Sequence, residues 1–254
     1  MSSLYKELSG VYEAMYQTFI NYDEEFAFYS SILNKYNCNN VLEVGCGTGH
    51  LAEKFIQNNF NYTGIDLSEE MLAIACKKYP GYSFLKADMR NFTLNSKTDS
   101  AIITGRTISY LITNEDVYNA FTFINKNLST GGIICFDCID ASKFIPLISE
   151  GKKVVHKAEW ENKKYKRESN WKINFSQSWT FDWRSVYFEE KGNGLSEKIG
   201  EDQSTIRSFT KDEINLFLTL SGFEIKEIID RPSYAFDTFV TVAKKLKLNR
   251  SYNQ

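Results

Sequence analysis

The sequence predicts an α/β fold, a doubly wound and mostly parallel sheet with helices on both faces. Short apolar runs alternate with stretches of helical spacing, the pattern of strands joined by crossover helices. The first run ends in an acidic residue and passes through a turn with three glycines straight into a helix. Acids close the second and third runs as well, at the strand tips where open parallel sheets bind ligands.

Val41-Leu42-Glu43-Val44 is the first strand, and Gly45-Cys46-Gly47-Thr48-Gly49 the turn. Leu51-Ala52-Glu53-Lys54-Phe55-Ile56 opens the helix behind it. Phe60 to Ser68 holds a second strand ending in Asp66. Ser68 with Glu69 and Glu70 starts the next helix, a hydroxyl cap followed by carboxylates at the positive dipole end. Met71, Leu72, Ile74 and Ala75 form its apolar face, and Lys77-Lys78 precede the stop at Pro80-Gly81. Tyr82 to Arg90 is a third strand ending in Asp88, Asp99 to Thr104 a fourth, and Gly131 to Asp137 a fifth. Asp116 to Leu128 has helical spacing, as does Ile214 to Leu220, which Ser221-Gly222 closes. Phe223 to Ile229 and Thr238 to Ala243 are the last strands.

At 254 residues and 43% hydrophobic content, the chain can bury the core of one elaborated domain. Its net charge of -2 offers no general attraction to nucleic acid or a membrane surface. No apolar run approaches the ~20 residues of a membrane span, and Met1 to Glu7 lacks a signal-peptide core. Five cysteines, mostly inside apolar segments, read as reduced thiols in a cytoplasm. Cys135 and Cys138 have redox spacing, yet on one strand they point to different faces.

Between the fifth strand and the helix at Asp212 the connection is far longer than the usual few residues. It holds all four tryptophans, Trp160, Trp171, Trp179 and Trp183. Tyr165–Phe175 and Gln177–Glu189 read as strands of an antiparallel meander with Ser204–Phe209 as a third, and Lys191 to Gly194 as a turn. This insertion, residues 150–207, is expected over the carboxyl ends of the parallel strands. At least half of its aromatics glue it to the core; the rest wall a substrate pocket or a contact between two copies of the chain.

A glycine turn running into a helix is a ligand cradle, because glycines take positive φ and admit close approach while the helix end offers free N–H groups. Dinucleotide folds space the glycines G-x-G-x-x-G; here the third comes one residue early, as Gly45-x-Gly47-x-Gly49. With Glu43 ahead of it, the stretch resembles motif I of the class I S-adenosylmethionine-dependent methyltransferases. Asp66 lies 21 residues after Gly45, where a strand-tip acid can accept from both ribose hydroxyls. Singly, Asp66 and Asp88 read as turn or cap residues; together with the glycines, in this order and spacing, they read as a cofactor site.

The resemblance implies a Rossmann-like sheet of seven strands, the last two a hairpin. Residues 37–142 and 208–246 would form the core and residues 1–36 an N-terminal lid of helices. It implies S-adenosylmethionine as cofactor, with S-adenosylhomocysteine as product. The cofactor-binding residues would be Tyr12, Glu43, Gly45, Cys46, Gly47, Gly49, Asp66, Leu67, Met71, Asp88, Met89 and Thr104. Asp88 would accept from the adenine amino group and Met89 pack on the ring, while Met71 touches adenine or fills core.

The layout is similar to that of small-molecule N-methyltransferases, the glycine/sarcosine type and the deoxysugar N,N-dimethyltransferases. Leu4-Tyr5 and Val11-Tyr12-Glu13-Ala14-Met15-Tyr16 resemble their N-terminal helix, with Glu13 in place of the usual Asp. Ala87 to Phe92 matches their third-strand motif, and Gly105 to Leu111 their loop after the fourth strand, except that Arg106 replaces a small residue. Tyr12 and Tyr16 are candidates to shape the methyl-donor end, and Arg106 and Tyr110 to hold substrate at the mouth. Asp137 and Asp140 at the fifth strand tip are candidates to orient an amine; the alternative is turn capping. Of the two histidines, His50 faces the helix start and His156 is a candidate to reach the pocket from the insertion. The basic run from Lys152 to Arg167 reads as a solvated strand face or a phosphate contact.

No Pro-Pro pair is present, so the Asn/Asp-Pro-Pro-aromatic signature of adenine and glutamine methylation is missing, and no metal-ligand cluster is visible. The expected function is therefore methyl transfer to a small molecule at an amine nitrogen. Alternatives are O-methylation of a small molecule, methylation of protein or RNA, cofactor binding without transfer and, least favoured, an oxidoreductase.

Overall fold

The computed structural model describes Val11, residues 14–16, Thr18 and residues 20–176, 178–233 and 235–247. Helix α1 (Tyr22–Lys35) starts at Asn21, whose side chain accepts from the N–H groups of Asp23 and Glu24. The core then runs β1 (Asn40–Val44), α2 (His50–Gln57), β2 (Asn61–Asp66), α3 (Glu69–Lys78), β3 (Ser83–Lys86) and β4 (Thr98–Ile103). A single 3-10 turn at Thr107–Tyr110 leads to α4 (Asn114–Asn127) and β5 (Leu128–Ile139). Then come α5 (Ala141–Ser149), an accessory layer of β6 (Lys153–Trp160), β7 (Lys163–Ile173), β8 (Thr180–Glu190) and β9 (Ser196–Arg207), and finally α6 (Lys211–Leu220), β10 (Phe223–Pro232) and β11 (Asp237–Lys245).

The main sheet has seven strands in the order β10-β11-β5-β4-β1-β2-β3. Its neighbours are parallel except where β11 runs antiparallel to both β5 and β10. Strand β1 is buried along Val41–Val44, as expected of a parallel strand covered on both faces. Leu42 and Val44 pack with Val117, Phe121 and Ile124 of α4 and Ile214 and Leu218 of α6. Val41 faces the opposite layer, with Tyr29 and Leu33 of α1 and Phe55 of α2. Cys135 and Cys138 fall in these two different layers.

Helix ends follow the expected chemistry. Ser68 accepts from the Met71 N–H, and Thr210 forms a reciprocal capping box with Glu213 at the start of α6. Asp140 caps α5 (Ala141–Ser149), accepting from the N–H and hydroxyl of Ser142. That is the turn-capping alternative for this residue, and its carboxylate is 3% exposed.

The insertion departs from the expected meander. It is a four-stranded antiparallel sheet, β6 (Lys153–Trp160), β7 (Lys163–Ile173), β8 (Thr180–Glu190) and β9 (Ser196–Arg207), in that order. Strand β6 escaped the sequence reading because its lysines and glutamate mask the apolar alternation, as is usual for a strand at a sheet edge. The basic run from Lys152 to Arg167, read as a solvated strand face or a phosphate contact, is this β6–β7 hairpin, where Lys157, Lys163, Lys164 and Lys166 pair with Glu190, Glu189, Glu159 and Glu168.

Helix α5 packs Phe144 against Trp171, Phe181 and Phe236, gluing the accessory sheet to the core. Trp171 is buried, whereas Trp160 and Trp179 are exposed. The insertion leaves and rejoins the core side by side. The Ala141 N–H donates to the Phe209 carbonyl (3.0 Å), and the Phe209 N–H to the Ile139 carbonyl (2.9 Å). Among the described residues, no helix is long and apolar enough to cross a membrane.

Candidate active site

The tip of β1 builds the floor. The N–H groups of Gly45 and Cys46 both donate to the Ile65 carbonyl at 2.8 and 3.0 Å, tying the turn to β2. Gly45 has φ +78°, and a Cβ there would collide with the Thr107 side chain. Gly47 has φ +53° and nothing within 4 Å of where its Cβ would stand. The first glycine is needed for packing, and the second leaves the backbone open to a ligand.

Asp66 fastens the turn from the neighbouring strand. One carboxylate oxygen accepts from the Gly47 N–H and the other from the Ser68 N–H, each at 2.8 Å. Beneath the turn Glu43 is 3% exposed. Burial pushes its carboxyl up to about 7, against the opposing pull of hydroxyl donors from Tyr62 (2.5 Å) and Thr104 (3.3 Å).

Asp88, beyond β3, is engaged by Arg90, which donates from Nε (2.9 Å) and Nη2 (2.6 Å) and reaches Asp116 through Nη1 (2.9 Å). Those hydrogen bonds hold the Asp88 carboxyl below its usual range.

Two adjoining cavities open at the carboxyl edge of the parallel strands. The first, about 440 Å³, is lined by Glu43, Cys46, His50, Thr104, Asp137 and Arg231 among others. The second, about 590 Å³, runs from Asp66, Leu67, Asp88 and Met89 to Tyr110, Trp183 and Asp202. Tyr16, Gly45, Gly47, Met71 and Arg106 line both. Gly49 lines neither; a Cβ there would stand 3.0 Å from the Phe84 ring.

Arg106 sits in left-handed backbone, φ +61°. Its N–H donates to Asp137 (2.8 Å), its guanidinium to the Ser233 hydroxyl (2.7 Å), and it lies 5.3 Å from the Phe236 ring. Asp137 is 8% exposed, and burial raises its carboxyl above the usual range despite Arg106 beside it. Tyr110 is half exposed at the mouth.

His156 does not reach either cavity. Register pairs it with Arg167 across β6 and β7, and the Arg167 guanidinium lies 3.1 Å from its Nδ1. Burial, then that cation, push the imidazole down to about 4. His50 lines the first cavity, stacked on Tyr22. Tyr12 and Glu13 lie outside the described residues. The structure adds lining groups from far along the chain: Trp183, Asp202, Ser204, Ile206 and Phe236. The insertion's expected position over the strand tips foreshadowed Trp183, Asp202, Ser204 and Ile206, whereas nothing in the sequence pointed to Phe236, from the loop before β11.

Residues 41–132, from β1 into the start of β5, match the profile of the methyltransferase domain family. That match covers the first part of the Rossmann-like core. A putative methyltransferase of Bacillus subtilis, YqeM, is 37% identical over 101 residues, 38% of this chain and 41% of that protein. A dTDP-3-amino-3,4,6-trideoxy-alpha-D-glucopyranose N,N-dimethyltransferase of Streptomyces venezuelae is 33% identical over 94 residues, 37% of this chain and 40% of that protein. The matches thus span well under half the length of these relatives. The core and its insertion together share their fold with CalS10, an amino pentose methyltransferase from Micromonospora echinaspora solved with S-adenosylmethionine bound. There the TM-score is 0.76 at 21% identity, covering 92% of this chain and 96% of the other.

Proposed function

We propose that this chain transfers a methyl group from S-adenosylmethionine to a small molecule, at an amine nitrogen. The observation that carries the reading is the open backbone at Gly47, held by Asp66 at the mouth of two joined cavities. The residues fit that cofactor. Asp66 accepts two backbone hydrogen bonds and keeps further lone pairs for ribose hydroxyls, since an ionised carboxylate has about four. Leu67, Met71 and Met89 give the same cavity apolar wall for an adenine, and Glu43 and Thr104 line the cavity suited to the amino-acid end.

When bound, the cofactor supplies a methyl group on a positively charged sulfur, open to in-line displacement by an amine lone pair. The chain's part is alignment and exclusion of water. Tyr16, lining both cavities, stands where donor and acceptor halves meet. An amine needs only to lose a proton, whereas a hydroxyl acceptor usually needs a base. The second cavity, about 590 Å³, holds the adenosine wall and the acceptor space together, a size that suits small molecules. The Streptomyces venezuelae relative, by name an aminosugar N,N-dimethyltransferase, supports the same acceptor atom.

The test is transfer of labelled methyl groups from S-adenosylmethionine into extract of the source cells, with small molecules separated from macromolecules. Label on a small amine is expected, identified by mass spectrometry. Label confined to protein or RNA overturns the acceptor class, and no label with any fraction overturns transfer itself.

A further inference from the structure

The acceptor half of the second cavity carries one charge that the fold leaves unspent. Among the described residues, five charged side chains line this cavity: Asp66, Asp88, Arg90, Arg106 and Asp202. Asp66 is bonded to the turn, Asp88 and Arg90 to each other, and Arg106 to Ser233. The Asp202 side chain has no hydrogen bond or ion pair among the described residues, and its charge acts on the Tyr187 hydroxyl through space.

Strand geometry aims Asp202 inward. It pairs with Ser185 and is two residues from Ser204, which pairs with Trp183, so Asp202, Ser204 and Trp183 share one face of the accessory sheet. All three line the cavity, together with Tyr16 and Tyr110. A lone carboxylate beside aromatic rings is a setting that favours a cation and disfavours an anion.

We propose that Asp202 is the specificity residue that selects a positively charged amine as acceptor. This rests on the reading of the chain as an amine methyltransferase. The ammonium of the incoming acceptor donates to the Asp202 carboxylate between Trp183 and Tyr110, and sheds its proton to water before methylation. The competing role for Asp202 is counter-charge to Arg167, whose guanidinium lies 5.4 and 5.8 Å from the rings of Tyr16 and Trp183. Arg167 lines neither cavity and is engaged by His156 and Tyr187.

The experiment uses the full chain saturated with S-adenosylhomocysteine and two probes of matched shape, cyclohexylamine and cyclohexanol, titrated calorimetrically at neutral pH. The wild type is expected to bind the amine about tenfold more tightly than the alcohol. Asp202→Asn is expected to remove that preference while alcohol and S-adenosylhomocysteine affinities hold, and Asp202→Glu to restore part of it. Equal binding of the two probes by the wild type, or no binding of the amine, overturns the proposal. So does an Asp202→Asn variant that melts lower yet keeps the preference, the signature of a counter-charge to Arg167. Failure of the wild type to bind S-adenosylhomocysteine at all would instead bring down the cofactor reading on which the proposal stands.

Discussion

Replacing Asp66 tests the cofactor site most directly, because that side chain serves both the turn and the cavity. Asp66→Ala frees the N–H groups of Gly47 and Ser68, each now bonded at 2.8 Å. At about 0.5–1.5 kcal/mol per bond, the turn loses about 1–3 kcal/mol. For a chain of this size that lowers Tm by about 2–4 °C per kcal/mol. The carboxylate's remaining lone pairs face the cavity, and a charge-assisted hydrogen bond lost there costs about 1.5–3 kcal/mol. S-adenosylhomocysteine should then bind about 10- to 150-fold more weakly. Asp66→Asn separates the two effects. Its amide nitrogen must face one of the two backbone donors, so one turn bond survives while the charge is gone. Calorimetric titration with parallel thermal melting reads both quantities. An Asp66→Asn variant that binds S-adenosylhomocysteine within about twofold of wild type would refute the assignment.

Glu43 predicts a pH dependence in the ligand-free chain. Its carboxyl sits at about 7 in the fold against an ordinary 4.5, so between those values the folded chain keeps a proton that the unfolded chain gives up. Stability present below pH 4.5 should be lost as pH rises through 7, by about 3 kcal/mol, and Glu43→Gln should flatten that slope in denaturant titrations. The two glycines should separate stability from binding. Gly45→Ala drives a Cβ into Thr107 and should lower Tm strongly, whereas Gly47→Ala meets only the left-handed backbone cost of about 1–2 kcal/mol yet should abolish S-adenosylhomocysteine binding by calorimetry. Arg207, 1% exposed, donates to Glu213, Ser178 and the Ile112 carbonyl. Arg207→Ala should cost about 1.5–3 kcal/mol by removing the charge-assisted bond to Glu213, which keeps donors from Ser178 and Thr210, read as a fall in Tm.

The core was legible because its signals are local. The strand β1, the glycine turn and the Ser68 cap each declare themselves within a few residues, and parallel strands buried on both faces read as apolar runs. What the sequence reading missed depends on partners far away in the chain. Nothing near His156 reveals that a strand pairing sets Arg167 against it. Arg90 stands beside Asp88 in sequence, but nothing there shows that it also reaches Asp116 on α4. Asp202 has an ordinary polar neighbourhood in sequence, Gly200-Glu201-Asp202-Gln203-Ser204. It becomes a cavity residue only once β9 lies over the strand tips. Alternation also failed at β6, where charge on an edge strand replaced the apolar signal.

The doorway between Ile139 and Phe209 has an evolutionary consequence. The accessory sheet departs and returns through neighbouring backbone positions, joined by hydrogen bonds of 2.9 and 3.0 Å. A segment whose two ends are fixed side by side can lengthen, shorten or be exchanged with little strain on what anchors it. Asp202 and Trp183 belong to that segment, while Gly47, Asp66 and Asp88 belong to the anchor. On the proposed function, selection can therefore rewrite what the chain accepts without renegotiating what it uses as donor, and a grafted insertion closed at the same two residues would inherit the proposed cofactor site.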